Sequence, residues 1–338
     1  MSGAKTKRLR GTEGISTAAK ILRRGGTVAF PTETVYGLGA NAIDAAAVAK
    51  IFAAKQRPGW DPVIVHVCNR EMVDRVAEVS ESAERLIEAF WPGPLTILLS
   101  RTALVPDTVT AGRPLVGVRM PRHDLALALI REAEVPVAAP SANRFGRTSP
   151  TTATHVLGDL EGRIDAVLDG GPTEVGVEST VIGPAENGEG WLIYRPGGVS
   201  KESLEGVLGA RAITVFKPKE KIGTPESLPS PGVGIRHYAP RARLILVQAE
   251  ELEVAVTQAT EGGTTAGVML PNGWMASSAS AIYPWGDWTE GEMLARRLFA
   301  GLRQLDEAGV EVIVCPVPPM GGIGEAIRDR LRKAAQEK

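Results

Sequence analysis

Apolar residues in this chain fall into short β-branched runs separated by stretches where they recur every three or four positions. Ser16 to Arg24 puts Ile21 and Leu22 on one face, with Ser16 as an N-cap and Gly25-Gly26 as a stop, and so predicts a helix. Thr27–Phe30 predicts a short strand ended by Pro31, and 44–54 a second helix. Pro62–Val67 has the composition of a buried strand. A helix over 82–90 leads through the rigid turn Trp91-Pro92-Gly93-Pro94 into a strand at 95–99. Strands follow at 116–118, 137–139, 166–168, 180–182 and 192–194, with helices over 124–132 and 152–160. The alternation has no simple βαβ repeat, which predicts a mixed α/β sheet with helices packed on it.

The texture changes at Arg211. Residues 217–221 are charged and 223–240 are rich in proline and glycine, the composition of a linker. Beyond it, 244–247, 252–259, 265–270, 290–305, 310–314 and 323–335 read as β-α-β-α-β-α, a small three-layer, Rossmann-like α/β domain. The expected organisation is a domain over 1–210, a linker over 211–240 and a second domain over 241–338.

Composition narrows the class. The chain holds 38 glycines and 24 prolines, so it is rich in the loops that usually carry sites. Its two cysteines, Cys68 and Cys315, lie in different predicted domains without a Cys/His cluster, which argues against a disulfide framework or structural zinc and fits a cytoplasmic location. The basic N-terminus is followed by no apolar segment, and no run approaches membrane-spanning length, so a soluble protein without a membrane partner is expected. With a net charge of −1, bulk charge gives no reason to expect nucleic-acid binding.

Motifs for phosphate loops, dinucleotide binding, zinc proteases and serine hydrolases are absent. What remains is a set of hydroxyl- and cation-bearing strand ends. Pro31–Gly39 follows the first strand and reads as a loop, with hydroxyls at Thr32, Thr34 and Tyr36 and glycines that admit a ligand to the backbone. Lys55 and Arg57 either complement a helix C-terminus or clamp a triphosphate. A lone histidine inside a strand, as His66 is, more often serves the core than a ligand. Arg119, at the end of a buried strand, requires either a buried carboxylate or an anionic ligand, and the reading favours the ligand. Ser141, Asn143 and Ser149 share one polar loop, while Ser179 opens a strand and Arg195 closes one. Together these ends suit an anionic, polar substrate held without a covalent nucleophile.

Seven segments occur in order: PTETVYGLGANA, KQRP with DPVIVHV, FWPGPLTILL, VGVRMP, APSANRFGRTSPT, DGG with GVESTVI, and YRPG. In this they resemble the YrdC-like family, and the extension with SPG and RHYAP at 230–240 resembles the long form of threonylcarbamoyl-AMP synthases. The resemblance implies a twisted mixed sheet with helices around a concave cavity. It also implies a nucleotidyltransferase that makes threonylcarbamoyl-AMP and pyrophosphate from L-threonine, bicarbonate and ATP, with Mg2+ arriving on ATP. The product would pass to the tRNA threonylcarbamoyl-transfer machinery, with at most a weak RNA contact. Carried over by position, Thr34, His66, Arg119 and Ser179 would hold threonine. Lys55, Arg57, Asp61, Ser141, Asn143, Ser149 and Arg195 would hold ATP, and Ser230, Arg236, His237 and Tyr238 would belong to a lid. Two departures stand out: Asp61 replaces the usual asparagine, and Val233-Gly234-Ile235 replaces Met-Lys-Tyr. The competing readings are a double-stranded-RNA-binding factor without turnover and a carbamoyltransferase.

Overall fold

The computed structural model describes residues 5–185, 190–216, 230 and 237–336. They divide into two compact units. The first comprises most of the chain up to residue 234; the second comprises 235–338 together with Gly146–Ser149 and Val175–Val177.

In the first unit β1 (Lys7–Leu9) and α1 (Gly11–Arg23) are followed by β2 (Val28–Phe30), β3 (Gly37–Asn41), α2 (Ala45–Lys55) and β4 (Ile64–His66). Next come α3 (Arg70–Val76), β5 (Ala77–Glu78), α4 (Glu81–Phe90), β6 (Leu95–Arg101), α5 (Asp107–Thr110) and β7 (Leu115–Arg119). The unit continues through α6 (Asp124–Ala133), β8 (Val137–Ala138), α7 (Ala153–Leu160), β9 (Ala166–Leu168), β10 (Thr180–Pro184), β11 (Trp191–Arg195), α8 (Lys201–Leu208) and β12 (Ile213–Val215). The strands form one mixed sheet ordered β1-β9-β2-β3-β8-β4-β7-β6-β10-β11-β12, with β5 on β6. Local chemistry sets many helix starts: Asp44, Ser80 and Thr152 each accept N-terminal amide hydrogens of the following helix. Val65, Ile97, Val118 and Ile182 from the strands pack with Leu22, Ile51, Leu86 and Leu129 from the helices in one core.

Two expectations are corrected here. Helix α1 begins at Gly11, so Ser16 lies inside it and caps nothing; the N-cap is Arg10, in extended backbone. The glycine segment after Pro31 is not all loop, because Gly37–Asn41 forms β3, antiparallel to β2. A Cβ on Gly39 would come within 2.7 Å of Val137 Cγ1 and 2.8 Å of Phe30 Cε1. Gly39 is therefore glycine for packing, not for ligand access.

The second unit runs β13 (Arg243–Val247), α9 (Leu252–Thr260), β14 (Ala266–Pro271), β15 (Ala281–Gly286), α10 (Gly291–Glu307), β16 (Val312–Pro316) and α11 (Gly324–Ala335). Its sheet is parallel throughout, ordered β13-β16-β14-β15. The expectation of three strands missed β15. Pro284 and Gly286 argue against a strand, but both are tolerated because β15 is an edge.

Candidate active site

The register of the first sheet gathers the polar strand ends. His66 and Arg119 are paired residues of the parallel strands β4 and β7, so their side chains leave the same face as lateral neighbours. Both are buried. Arg119 Nε donates to the Gly93 carbonyl at 3.2 Å, which ties it to the Trp-Pro-Gly-Pro turn. Its Nη2 lies 2.7 Å from Glu33 Oε2, with side-chain exposures of 4% and 0%. Of the two partners that a buried Arg119 allows, the structure supplies the carboxylate, that of Glu33. The contact is nonetheless poorly aligned: among the described residues neither Glu33 oxygen nor this Nη2 makes a hydrogen bond. His66 packs edge-on against Phe30, with ring centroids 5.9 Å apart, and its Nδ1 also has no hydrogen-bond partner. Burial first, and Arg119's charge second, push its pKa from 6.5 down to about 3, so it is neutral near pH 7.

Thr34 follows Glu33 in a turn held by Thr32. The Thr32 hydroxyl donates to Val35 O at 2.7 Å, accepts from the Thr34 and Val35 amides, and lies 2.8 Å from Thr34 Oγ1. Tyr36 is committed as well, donating to Gly171 O at 2.7 Å and accepting from the Gly170 amide at 3.2 Å. Of the three hydroxyls noted in the sequence, Thr32 and Tyr36 serve the backbone. Ser141 bridges to Gly37, and Leu38 N–H donates to Pro140 O at 2.8 Å, which fixes the Ser141 loop beside the same turn.

Two strands beyond β7, Ser179 leads into β10. Its hydroxyl lies 2.8 Å from Thr96 Oγ1 and accepts from Arg195 Nη2 at 3.1 Å, while Arg195 Nε donates to the Ser179 carbonyl at 3.1 Å. Arg195 reaches it because β11 returns antiparallel to β10, with Val181 opposite Arg195. Thr96 is the register partner of Val181 on β6.

Lys55, Arg57, Asp61, Ser141 and Asn143 form a third group. Lys55 Nζ donates to the Ser141 carbonyl at 2.6 Å and to the Asn143 carbonyl; burial, then the charge of Arg57, push its pKa well down. Arg57 donates to the Asp61 and Pro62 carbonyls at 3.1 and 2.7 Å. It also pairs with the Asp61 carboxylate at 2.9 Å, both side chains being buried. The aspartate in the usual asparagine position is thus matched by a cation of its own chain. Burial pushes the Asp61 pKa up, against the pull of Arg57, Lys55 and Arg195. Among the described residues no group of three or more His, Cys, Asp or Glu side chains is arranged to hold a metal.

Ser149 and the C-terminal end of the linker fall in the second unit. There Arg303 donates to the Ser149 carbonyl at 3.4 Å and to the Thr148 carbonyl, and Ala239 N–H donates to Gly146 O at 2.9 Å. Tyr238 is 1% exposed, stacks on Phe299 at 5.8 Å, and has the Arg330 guanidinium 5.1 Å from its ring centre. His237 packs on Tyr238, and Ser230, in the first unit, is buried. Arg236 and most of the linker lie outside the described residues.

Within Pro31–Gly39 the hydroxyls of Thr32, Thr34 and Tyr36 stand out in the sequence, and Glu33 carries no mark of its own. The signal lies in Arg119, whose place on a buried strand requires a carboxylate or an anionic ligand.

A mixed sheet carrying these three polar groups, followed in the chain by a parallel α/β unit, defines a two-unit α/β protein. The chain belongs to the Sua5/YciO/YrdC family: residues 20–197 match the profile described as telomere recombination, and 199–336 match the threonylcarbamoyl-AMP synthase C-terminal domain. It is 43% identical over 330 residues to the threonylcarbamoyl-AMP synthase of Pyrococcus abyssi, covering 95% of this chain and 94% of that one. The corresponding synthase of Bacillus subtilis is 43% identical over 327 residues, with 95% and 92% covered. The crystal structure of P. abyssi Sua5 complexed with L-threonine is similar at a TM-score of 0.90 and 41% identity, covering 98% of each chain.

Proposed function

We propose that this protein is a threonylcarbamoyl-AMP synthase, joining L-threonine, bicarbonate or carbon dioxide, and ATP into threonylcarbamoyl-AMP with release of pyrophosphate. One observation carries the reading. The buried neighbours His66 and Arg119, with Ser179 two strands away, stand in a chain that aligns along 95% of its length with named synthases.

The chemistry needs positioning more than a nucleophile. Threonine's amine adds to carbon dioxide, and a carbamate oxygen then displaces pyrophosphate from the α-phosphate of ATP. The protein's tasks are to hold the reactants in line, neutralise charge and keep water from the carbamate. In this reading Thr34, His66, Arg119 and Ser179 receive threonine. Lys55, Arg57, Ser141, Asn143 and Arg195 receive ATP, with Asp61 holding Arg57 in place. Mg2+ enters as part of the nucleotide substrate, since among the described residues the Lys55 group offers the paired carboxylate of Asp61 and no cage. The product is consumed in tRNA modification in the cytoplasm, a location that the two buried free cysteines support.

The test is pyrophosphate release with single-substrate omissions. Release is expected only when L-threonine, bicarbonate, ATP and Mg2+ are all present; equal release without threonine would end the assignment.

A further inference from the structure

We infer that Glu33 is the group that receives the ammonium of the amino-acid substrate, making Glu33 and Arg119 a matched pair for a zwitterion. The inference rests on the proposed function and deepens it.

Glu33 is fully buried, and Arg119 is the cation that neutralises it. Buried carboxylates ordinarily collect several hydrogen-bond donors, because an unmet acceptor away from water is costly. Here both oxygens lack one among the described residues, and the Arg119 nitrogen facing them is equally unmet. The pair cancels charge but leaves hydrogen-bonding capacity open on both partners, beside Thr34 and His66. A free α-amino acid carries a carboxylate and an ammonium on one carbon. It fits such a pair directly: its carboxylate takes the guanidinium, and its ammonium brings Glu33 the missing donors. His123, the N-cap residue of α6, also lies within electrostatic reach of Glu33. Burial pushes the His123 pKa down, and Glu33 opposes that shift. His123 is therefore no substitute for a permanent cation against Glu33.

The experiment compares L-threonine with its deaminated analogue, 3-hydroxybutyrate, by calorimetry on the full-length chain and its Glu33→Gln variant. The unmodified protein is expected to prefer threonine by at least about tenfold, as for a charged hydrogen bond of roughly 1.4 kcal/mol or more. Glu33→Gln is expected to lose most of that preference while still binding the analogue. A variant that weakens both ligands by one common factor would make Glu33 a mere support for Arg119 and overturn the inference. Equal binding of the two ligands by the unmodified protein would overturn it without recourse to any variant. Binding of neither would remove the synthase reading and this inference with it.

Discussion

At the scale of single residues, the Arg119–Glu33 pair makes substitutions at this site carry two effects. Arg119→Ala leaves the buried Glu33 carboxylate without its cation, and loss of one partner from a buried pair typically costs about 3–5 kcal/mol. The variant is expected to show that loss in its denaturant midpoint as well as a collapse of threonine affinity. Replacing both residues together, Arg119→Met with Glu33→Leu, is expected to recover most of the stability and none of the binding; recovery of binding would show that neither residue meets substrate. His66 titrates in the other direction. Its pKa is about 3 in the fold against 6.5 ordinarily, so above pH 6.5 it has no effect on stability. As pH falls from 6.5 towards 3 the unfolded chain takes up a proton that the native imidazole refuses. Stability should therefore drop by up to about 1.4 kcal/mol per pH unit. Denaturant curves from pH 7 to 4 on the protein and on His66→Gln are expected to differ by this slope, and parallel curves would refute it.

At the scale of elements, close packing decides what glycine does. In β3, Gly39→Ala would press its methyl group onto the Phe30 ring and Val137, and Phe30 in turn supports His66. The expected cost is about 1–3 kcal/mol, readable as a lowered melting temperature. This position also shows where the sequence stopped being legible. Runs such as Val63–Val67 announce strands by composition, and Asp44, Ser80 and Thr152 announce helix starts by chemistry. Gly37–Asn41 announces neither, because it is a strand by pairing alone, with β2 on one side and β8 on the other. Edge strand β15 was hidden by its proline for the same kind of reason. The site was legible as residue types, but its partnerships were not: Arg57 meets Asp61 through the path of the loop after α2, and Ser179 meets Arg195 through the pairing of β10 with β11.

At the scale of the whole molecule, no helix among the described residues is long and apolar enough to cross a membrane, and none of their acidic clusters could hold a metal by itself. Removing Mg2+ with EDTA is therefore expected to stop pyrophosphate release while leaving threonine affinity and melting temperature unchanged; a lowered melting temperature would reveal a resident ion. The Ser179 hydroxyl has a wider consequence. It is held by Arg195 on one side and lies beside Thr96 on the other, so a residue read as a threonine ligand and a residue read as an ATP ligand share one hydrogen bond. A nucleotide that repositions Arg195 then changes what threonine meets, and linkage requires the influence to run equally in reverse. Threonine and a non-hydrolysable ATP analogue should each tighten the other's binding by one common factor, on the order of 5–150-fold for coupling of this kind. Ser179→Ala should bring that factor close to one, so that the two substrates bind as strangers.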